Sequence, residues 1–412
     1  MPSALAHHWS LEPGLAFLNH GSFGATPRPV LEAQRAWQTR IEAEPVRFFS
    51  RDLSGLLDEA RGELATFIDA DSEDLAFVPN ATTGFNTVLQ ALRFSPGDEL
   101  LTTDHAYNAA KNAMERVAAQ SRARVVIAPV PFPLSSADAI VDAVLAHATS
   151  RTRLALLDHV TSPTAVIFPI GHLVSELASR GVDTLVDGAH GPGMLDLHVA
   201  QLGAAYYTGN LHKWVSAPKG AGFLWIRRDR RDAIRPLVIS HGANAPGGER
   251  TRFRMEFDWT GTADPSAYLS VPEAIRFGAS LLPGGWPALR ARNHALTLVG
   301  RDLVCRALDV PLPISDELLG SMASIPLPGT RTGGQVQGID LYGDPVHDAL
   351  LEEYAIQVVT TPWPQRPDGG PWQRLLRLSA AAYNDVEDYE RLAAALPRVL
   401  ATAGLASSWH GD

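Results

Sequence analysis

Between residues 74 and 228 short apolar runs alternate with longer stretches whose apolar residues recur at helical spacing. The runs DLAFVPNA (74–81), DELLTTDH (98–105), RVVIAPV (124–130), RLALLDHV (153–160), DTLVDGAH (183–190) and AAYYTGN (204–210) read as strands. TGFNTVLQAL (83–92) and GHLVSELASRG (171–181) read as helices between them. Apolar strands alternating with helices predict a mainly parallel sheet covered on both faces. GAGFLWIRR (220–228) follows so closely on AAYYTGN that an adjacent antiparallel strand is expected.

Near residue 280 the pattern changes. LLPGGWP (281–287) breaks the chain, a helix-like stretch follows, and RLLRLSAAAY (374–383) reads as a strand. In the closing NDVEDYERLAAALPRVL (384–400), Asn384 and Glu387 have the spacing of a capping box, so Asn384 is expected to cap the last helix. The expected organisation is an N-terminal segment over residues 1–30, a large domain over 31–275 and a smaller C-terminal α+β domain over 276–412.

Composition narrows the function classes. Of the 412 residues 45% are hydrophobic, enough for sizeable cores, and the net charge is 35 − 45 = −10. That acidic balance argues against a nucleic-acid partner. The start MPSALAHHWSLEPG lacks a basic, then apolar, leader, and no apolar stretch approaches the roughly 20 residues that span a bilayer. A cytoplasmic protein without a membrane partner is expected. The single cysteine, Cys305, forbids an internal disulfide. His7 and His8 have no further ligand cluster nearby, and neither an HExxH nor a paired-cysteine motif occurs, so no metal is expected. HGSFG (20–24) lacks the first glycine of a serine-hydrolase elbow, and GPG (191–193) is no dinucleotide fingerprint.

In parallel α/β sheets ligands bind outside the carboxyl ends of the strands. The polar ends collected there are NATTG (80–84), DHAY (104–107), DHVTSPT (158–164), DGAH (187–190) and TGNLHK (208–213). NATTG opens a helix, where backbone N–H groups and the hydroxyls of Thr82 and Thr83 suit a phosphate. Asp187 ends a buried strand and requires a positive or donor partner. Lys213 ends the next strand, so both groups can face one cavity, where a desolvated lysine loses its proton and attacks a carbonyl cofactor. A Schiff-base lysine, a carboxylate for a pyridinium nitrogen, a phosphate cradle and a flat stacking partner, His105 or Tyr107, are the set that pyridoxal 5'-phosphate needs.

The order NATTG, DH, DGAH, TGNLHKW, KGAGFLW, LRLSAAAYN resembles the class V group of fold-type I pyridoxal phosphate enzymes. FLNHGSFGATPRPV (17–30) and DWTGTADPSAYLSVPEAIRF (258–277) resemble its isopenicillin N epimerase-like subgroup. The resemblance implies a large domain with a seven-stranded-type sheet, a smaller C-terminal domain, and a homodimer with shared active sites. It implies Lys213 as the Schiff-base lysine and Asp187 as the partner of the pyridine nitrogen. His190 and Ser162 fall near the ring hydroxyl, and His105 is expected to stack on the ring. Thr82, Thr83, Thr208 and His212 would hold the phosphate, and Thr262 would reach the phosphate of a neighbouring subunit. Arg377 would fork onto the substrate carboxylate, with Asn19 and Gly21 close to the amino-acid substrate.

The resemblance implies proton abstraction at the α-carbon of an amino acid, in an epimerase-like reaction. A C–S lyase of the hercynylcysteine sulfoxide lyase type and an aminotransferase are the alternatives, and a non-enzymatic protein on the same fold is the rival of a different class. Epimerisation needs a second acid–base group, for which His20, Tyr107 and His159 are candidates. Cys305 reads as a buried helical thiol, which ranks cysteine desulfurase low. Arg47, Phe48 and Phe49 are candidates for reading the substrate side chain.

Overall fold

The computed structural model describes residues 3–246, 248, 250–331, 343–364 and 371–402. The remaining parts of the expected terminal segment and small domain lie outside these residues. Twelve strands are present among them: β1 (Ala16–Phe17), β2 (Leu75–Val78), β3 (Glu99–Thr103), β4 (Arg124–Ala128), β5 (Thr152–Asp158), β6 (Asp183–Gly188), β7 (Tyr206–Asn210), β8 (Gly222–Ile226), β9 (Met322–Arg331), β10 (Ile356–Gln357), β11 (Val359–Trp363) and β12 (Trp372–Ser379).

Seven of them form one sheet in the order β2-β8-β7-β6-β5-β3-β4. The pairs from β4 through β7 are parallel, and β8 runs antiparallel to both β7 and β2. Every residue of β2, β3, β7 and β8 is buried, as expected of strands covered on both faces. The helices that matter to the site are α1 (Arg28–Ala43), α2 (Leu53–Ile68), α3 (Ala81–Ala91), α4 (Asn108–Ser121), α5 (Ile170–Ser179), α6 (Gly285–Leu308) and α7 (Val386–Thr402).

Helix α3 begins where β2 ends because the Asn80 side chain accepts the Thr83 N–H at 2.9 Å. It lies directly on β7: a Cβ on Gly84 would stand 2.0 Å from Thr208 Oγ1, so only glycine permits this approach. The smaller C-terminal part is an antiparallel sheet, β11-β12-β9, packed with α6 and α7. Strand β1 pairs in parallel with β10, which ties the N-terminal segment to this part.

One expected detail differs. Helix α7 starts at Val386, and Asp385 is its cap, accepting the Glu387 N–H at 3.0 Å. Asn384 instead accepts the Ala381 N–H and donates to the Phe17 carbonyl, locking the turn after β12. A closed turn satisfies the Asn384 amide on both its atoms, so the next residue is left to cap.

Candidate active site

A cavity of about 180 Å³ opens at the carboxyl ends of β5, β6 and β7. Strand register explains what lies on its floor. Asp158 and Asp187 are register partners at the ends of β5 and β6, and both are 3% exposed. Asp187 Oδ1 accepts the Ala189 N–H at 3.0 Å, while Asp158 Oδ2 is buried with no hydrogen-bond partner among the described residues. Burial raises both carboxyls above the usual range, and the neighbouring Asp187 charge pushes Asp158 further.

Lys213 stands in the turn after β7. Burial, then the charge of Arg377, lowers its amine to about 7, although Asp187 and Asp158 pull the other way. Its Nζ lies 3.1 Å from His190 Nε2. Its carbonyl is held by the Ser216 N–H at 2.9 Å and by His20 Nε2 at 2.8 Å. The lysine backbone is therefore fixed from two sides while its amine faces the cavity.

Thr82, Ser162, Asp187, His190, His212 and Lys213, all expected site residues, line this cavity together. Arg377 is 5% exposed on β12 and is not part of the lining surface. It donates to the Ser162 carbonyl at 2.6 Å, to Ser162 Oγ at 3.0 Å and to Ser22 Oγ at 2.8 Å. Asn19 supports this corner by accepting from Ser22 Oγ at 2.7 Å. Gly21 lies behind it, donating to Ser379 Oγ, where a Cβ would meet Met322 Sδ at 2.4 Å.

Other expected residues stand elsewhere. Thr208 is wholly buried beneath Gly84 of α3 and donates to the Phe223 carbonyl at 2.9 Å. Asn210, two residues on, takes the cavity position on the same strand face and accepts the Ala81 N–H at 2.8 Å. His105 is also wholly buried, held between Thr164 Oγ1 at 2.6 Å and the Val130 carbonyl at 3.0 Å, with Trp363 4.5 Å away. Tyr107 is the aromatic residue of that loop that lines the cavity. The hydroxyl of Thr83 turns to Asn80, and Thr83 lines a second, apolar cavity of about 260 Å³ with Leu237 and Trp259. Thr262 is exposed at the rim of that second cavity, between its lining residues Gly261 and Ala263.

Of the second acid–base candidates, His20 bridges the Lys213 carbonyl and the Tyr383 hydroxyl, and His159 meets the Tyr207 hydroxyl at 3.1 Å. Neither lines the Lys213 cavity. Burial lowers both to about 4, so both are neutral. Phe48 is buried, and Phe49 packs toward Trp259 at the apolar cavity, with Arg47 exposed nearby. Cys305 is 3% exposed inside α6, and burial raises its thiol to about 11, so it is not a reactive thiol.

Among the lining residues given no role from the sequence are Asp158, Asn210 and Phe23. Asp158 ends its strand as Asp187 does, and Asn210 sits one pleat beyond Thr208, so both had a signal in the two-residue period. Phe23, 54% exposed at the cavity, had none.

The donor set fits pyridoxal phosphate. A desolvated amine, a buried carboxyl, a helix start and a buried carboxyl oxygen without a partner surround one space. The sheet is the fold-type I architecture, and family membership together with the site makes this an enzyme that uses pyridoxal phosphate. The chain belongs to the class-V aminotransferase family, whose model matches residues 17–280.

It is 37% identical to an isopenicillin N epimerase of Amycolatopsis lactamdurans, over 94% of this chain and 96% of that one. It is 33% identical to a probable chloroplastic L-cysteine desulfhydrase of Arabidopsis thaliana, over 95% of this chain and 83% of the relative. Among solved structures, a C-DES mutant with glycine covalently linked to its PLP cofactor superposes with a TM-score of 0.74 at 22% identity, covering 95% and 98% of the two chains. Among the described residues no helix is long and apolar enough to cross a membrane, and no group of metal-ligating side chains occurs.

Proposed function

We propose that this enzyme removes the α-proton of an L-amino acid and then expels a sulfur group from the β-carbon, as a C–S lyase. The observation that carries the reading is Lys213, the amine whose burial beside Arg377 keeps it a base near neutral pH. When bound, pyridoxal phosphate supplies the electron sink that acidifies the α-proton.

The chain's residues have the following tasks in this reading. Asp187 would hold the ring nitrogen, and Thr82, Asn210 and His212, which line the cavity near the start of α3, would hold the phosphate. Tyr107, which lines the cavity where His105 does not, would cover the ring. Arg377 turns its guanidinium from Ser22 and Ser162 onto the substrate carboxylate. Lys213 would take the α-proton and pass it to the departing sulfur. For cysteine the balance is cysteine plus water to sulfide, pyruvate and ammonia. With Cys305 buried in α6, sulfur leaves as sulfide or a small thiol and not on the protein.

His20 and His159 are engaged away from the cavity, which favours chemistry needing a single base. Tyr107 keeps a second reading, epimerisation, open as the other protic cavity group on that loop. The test is a panel of L-amino acids and cysteine conjugates in deuterated water. Sulfide and pyruvate from cysteine-type substrates support the lyase. Appearance of the D-epimer without sulfur release assigns the epimerase instead.

The proposal includes a homodimer. Leu237, Val238 and Ile239 are 42, 57 and 60% exposed beside the cavity that carries Thr262 on its rim. A contiguous exposed apolar run of this kind suits a subunit contact. Sedimentation at micromolar concentration tests it, and a monomer with full activity rejects it.

A further inference from the structure

We propose that the indole of Trp214 fixes the tautomer of His190 and so keeps Lys213 a neutral amine, which makes Trp214 a positioning residue of the site. The proposal rests on the reading of Lys213 as the cofactor-anchoring lysine.

A neutral imidazole has one N–H and one lone pair, and an indole nitrogen only donates. Trp214 Nε1 lies 3.3 Å from His190 Nδ1. His190 Nδ1 must therefore present its lone pair, and the ring proton sits on Nε2. That same Nε2 is 3.1 Å from Lys213 Nζ. An N–H aimed at the amine leaves Lys213 only the accepting role, and an ammonium has no lone pair with which to accept. The opposite pairing, an ammonium donating to His190 Nε2, needs the proton on Nδ1, where it would confront the indole N–H.

The alternative of a charged His190 is also closed. Its ring is 2% exposed, and burial, with the charge of Arg377 adding to it, drives it well below its ordinary value. The indole is itself held in place. Trp214 is 6% exposed, its ring is 5.0 Å from that of His20, and His20 donates to the Lys213 carbonyl at 2.8 Å. Trp214 lines a neighbouring small cavity and not the Lys213 cavity, so it acts through His190. The other charged groups around the amine are Arg377 on β12, Asp187 on β6 and Asp158 on β5, and Trp214→Phe leaves all of them in place.

The direct test is nitrogen-15 NMR of the histidine rings in cofactor-free protein, with His190 assigned by its loss in His190→Gln. A proton on Nε2 with a bare Nδ1 is the expected result, and a proton on Nδ1 overturns the proposal even if Trp214→Phe proves unstable. The second test follows capture of pyridoxal phosphate by Lys213 against pH, trapped with borohydride. In Trp214→Phe the midpoint should rise by about one pH unit, because His190 can then accept from the ammonium. A purely structural tryptophan would lower the extent of capture without moving the midpoint, and an unmoved midpoint overturns the proposal. If Lys213 of the wild type is never labelled, the anchoring reading fails, while the NMR result still decides the tautomer.

Discussion

The two ends of the large sheet treat buried charge in opposite ways. At the amino end of β3, Glu99 is wholly buried and receives bonds from Arg124 at 2.6 Å, Arg151 at 2.7 Å and Thr149 at 2.7 Å. Burial raises this carboxyl, but those donors outweigh burial and bring it down to about 2. At the carboxyl ends of β5, β6 and β7, Asp158 and Asp187 are nearly as buried and Lys213 is half-buried, and none of the three has such partners, so the acids rise and the lysine falls. Satisfied charge stabilises the fold, whereas strained charge next to a cavity marks chemistry waiting for a ligand.

The comparison predicts different consequences on its two sides. Lys213→Ala should lower turnover by at least about 1000-fold and remove the visible band of the bound cofactor, checked by steady-state rates and absorbance. Arg377→Ala should raise the substrate KM by about 100-fold and leave that band in place, which titration with substrate tests. Retained affinity would remove Arg377 from the carboxylate site.

Glu99→Gln should do the reverse. It should leave turnover within about twofold and cost about 1–2 kcal/mol of stability in urea unfolding at pH 7. The sign of its pH dependence follows from a lowered folded value. The stabilisation is present above the unfolded value near 4.5 and is lost as pH falls toward about 2. The Glu99→Gln variant should therefore approach wild-type stability in acid.

A further effect concerns Lys213 without cofactor. Burial lowers its amine, so the unfolded chain binds the proton more tightly and the lysine destabilises the cofactor-free fold most fully below pH about 7. Lys213→Met should raise the melting temperature of cofactor-free protein at pH 6 and have less effect near pH 10. Equal shifts at both pH values would contradict the lowered amine.

The strands of the large sheet were legible because their apolar runs end in polar residues and glycine. Asp187 and Lys213 were legible for the same reason, as charges at the ends of buried runs. Thr208 misled because alternation puts it on the face of Asn210, and only the close packing of Gly84 shows that α3 covers it. His105 misled because its loop carries two aromatic side chains two residues apart, and only the fold turns one inward onto Trp363 and leaves the other at the cavity. His20 looked like an acid–base group near the substrate. Tertiary packing instead spends both of its nitrogens on the Lys213 carbonyl and on Tyr383.

The most direct test of the contrast between the two sheet ends is the pH dependence of pyridoxal phosphate capture by cofactor-free protein, read by absorbance, borohydride reduction and peptide mapping. The account predicts a single label on Lys213 with a midpoint near 7. A label elsewhere, or a midpoint near that of an ordinary lysine at about 10.4, would contradict it.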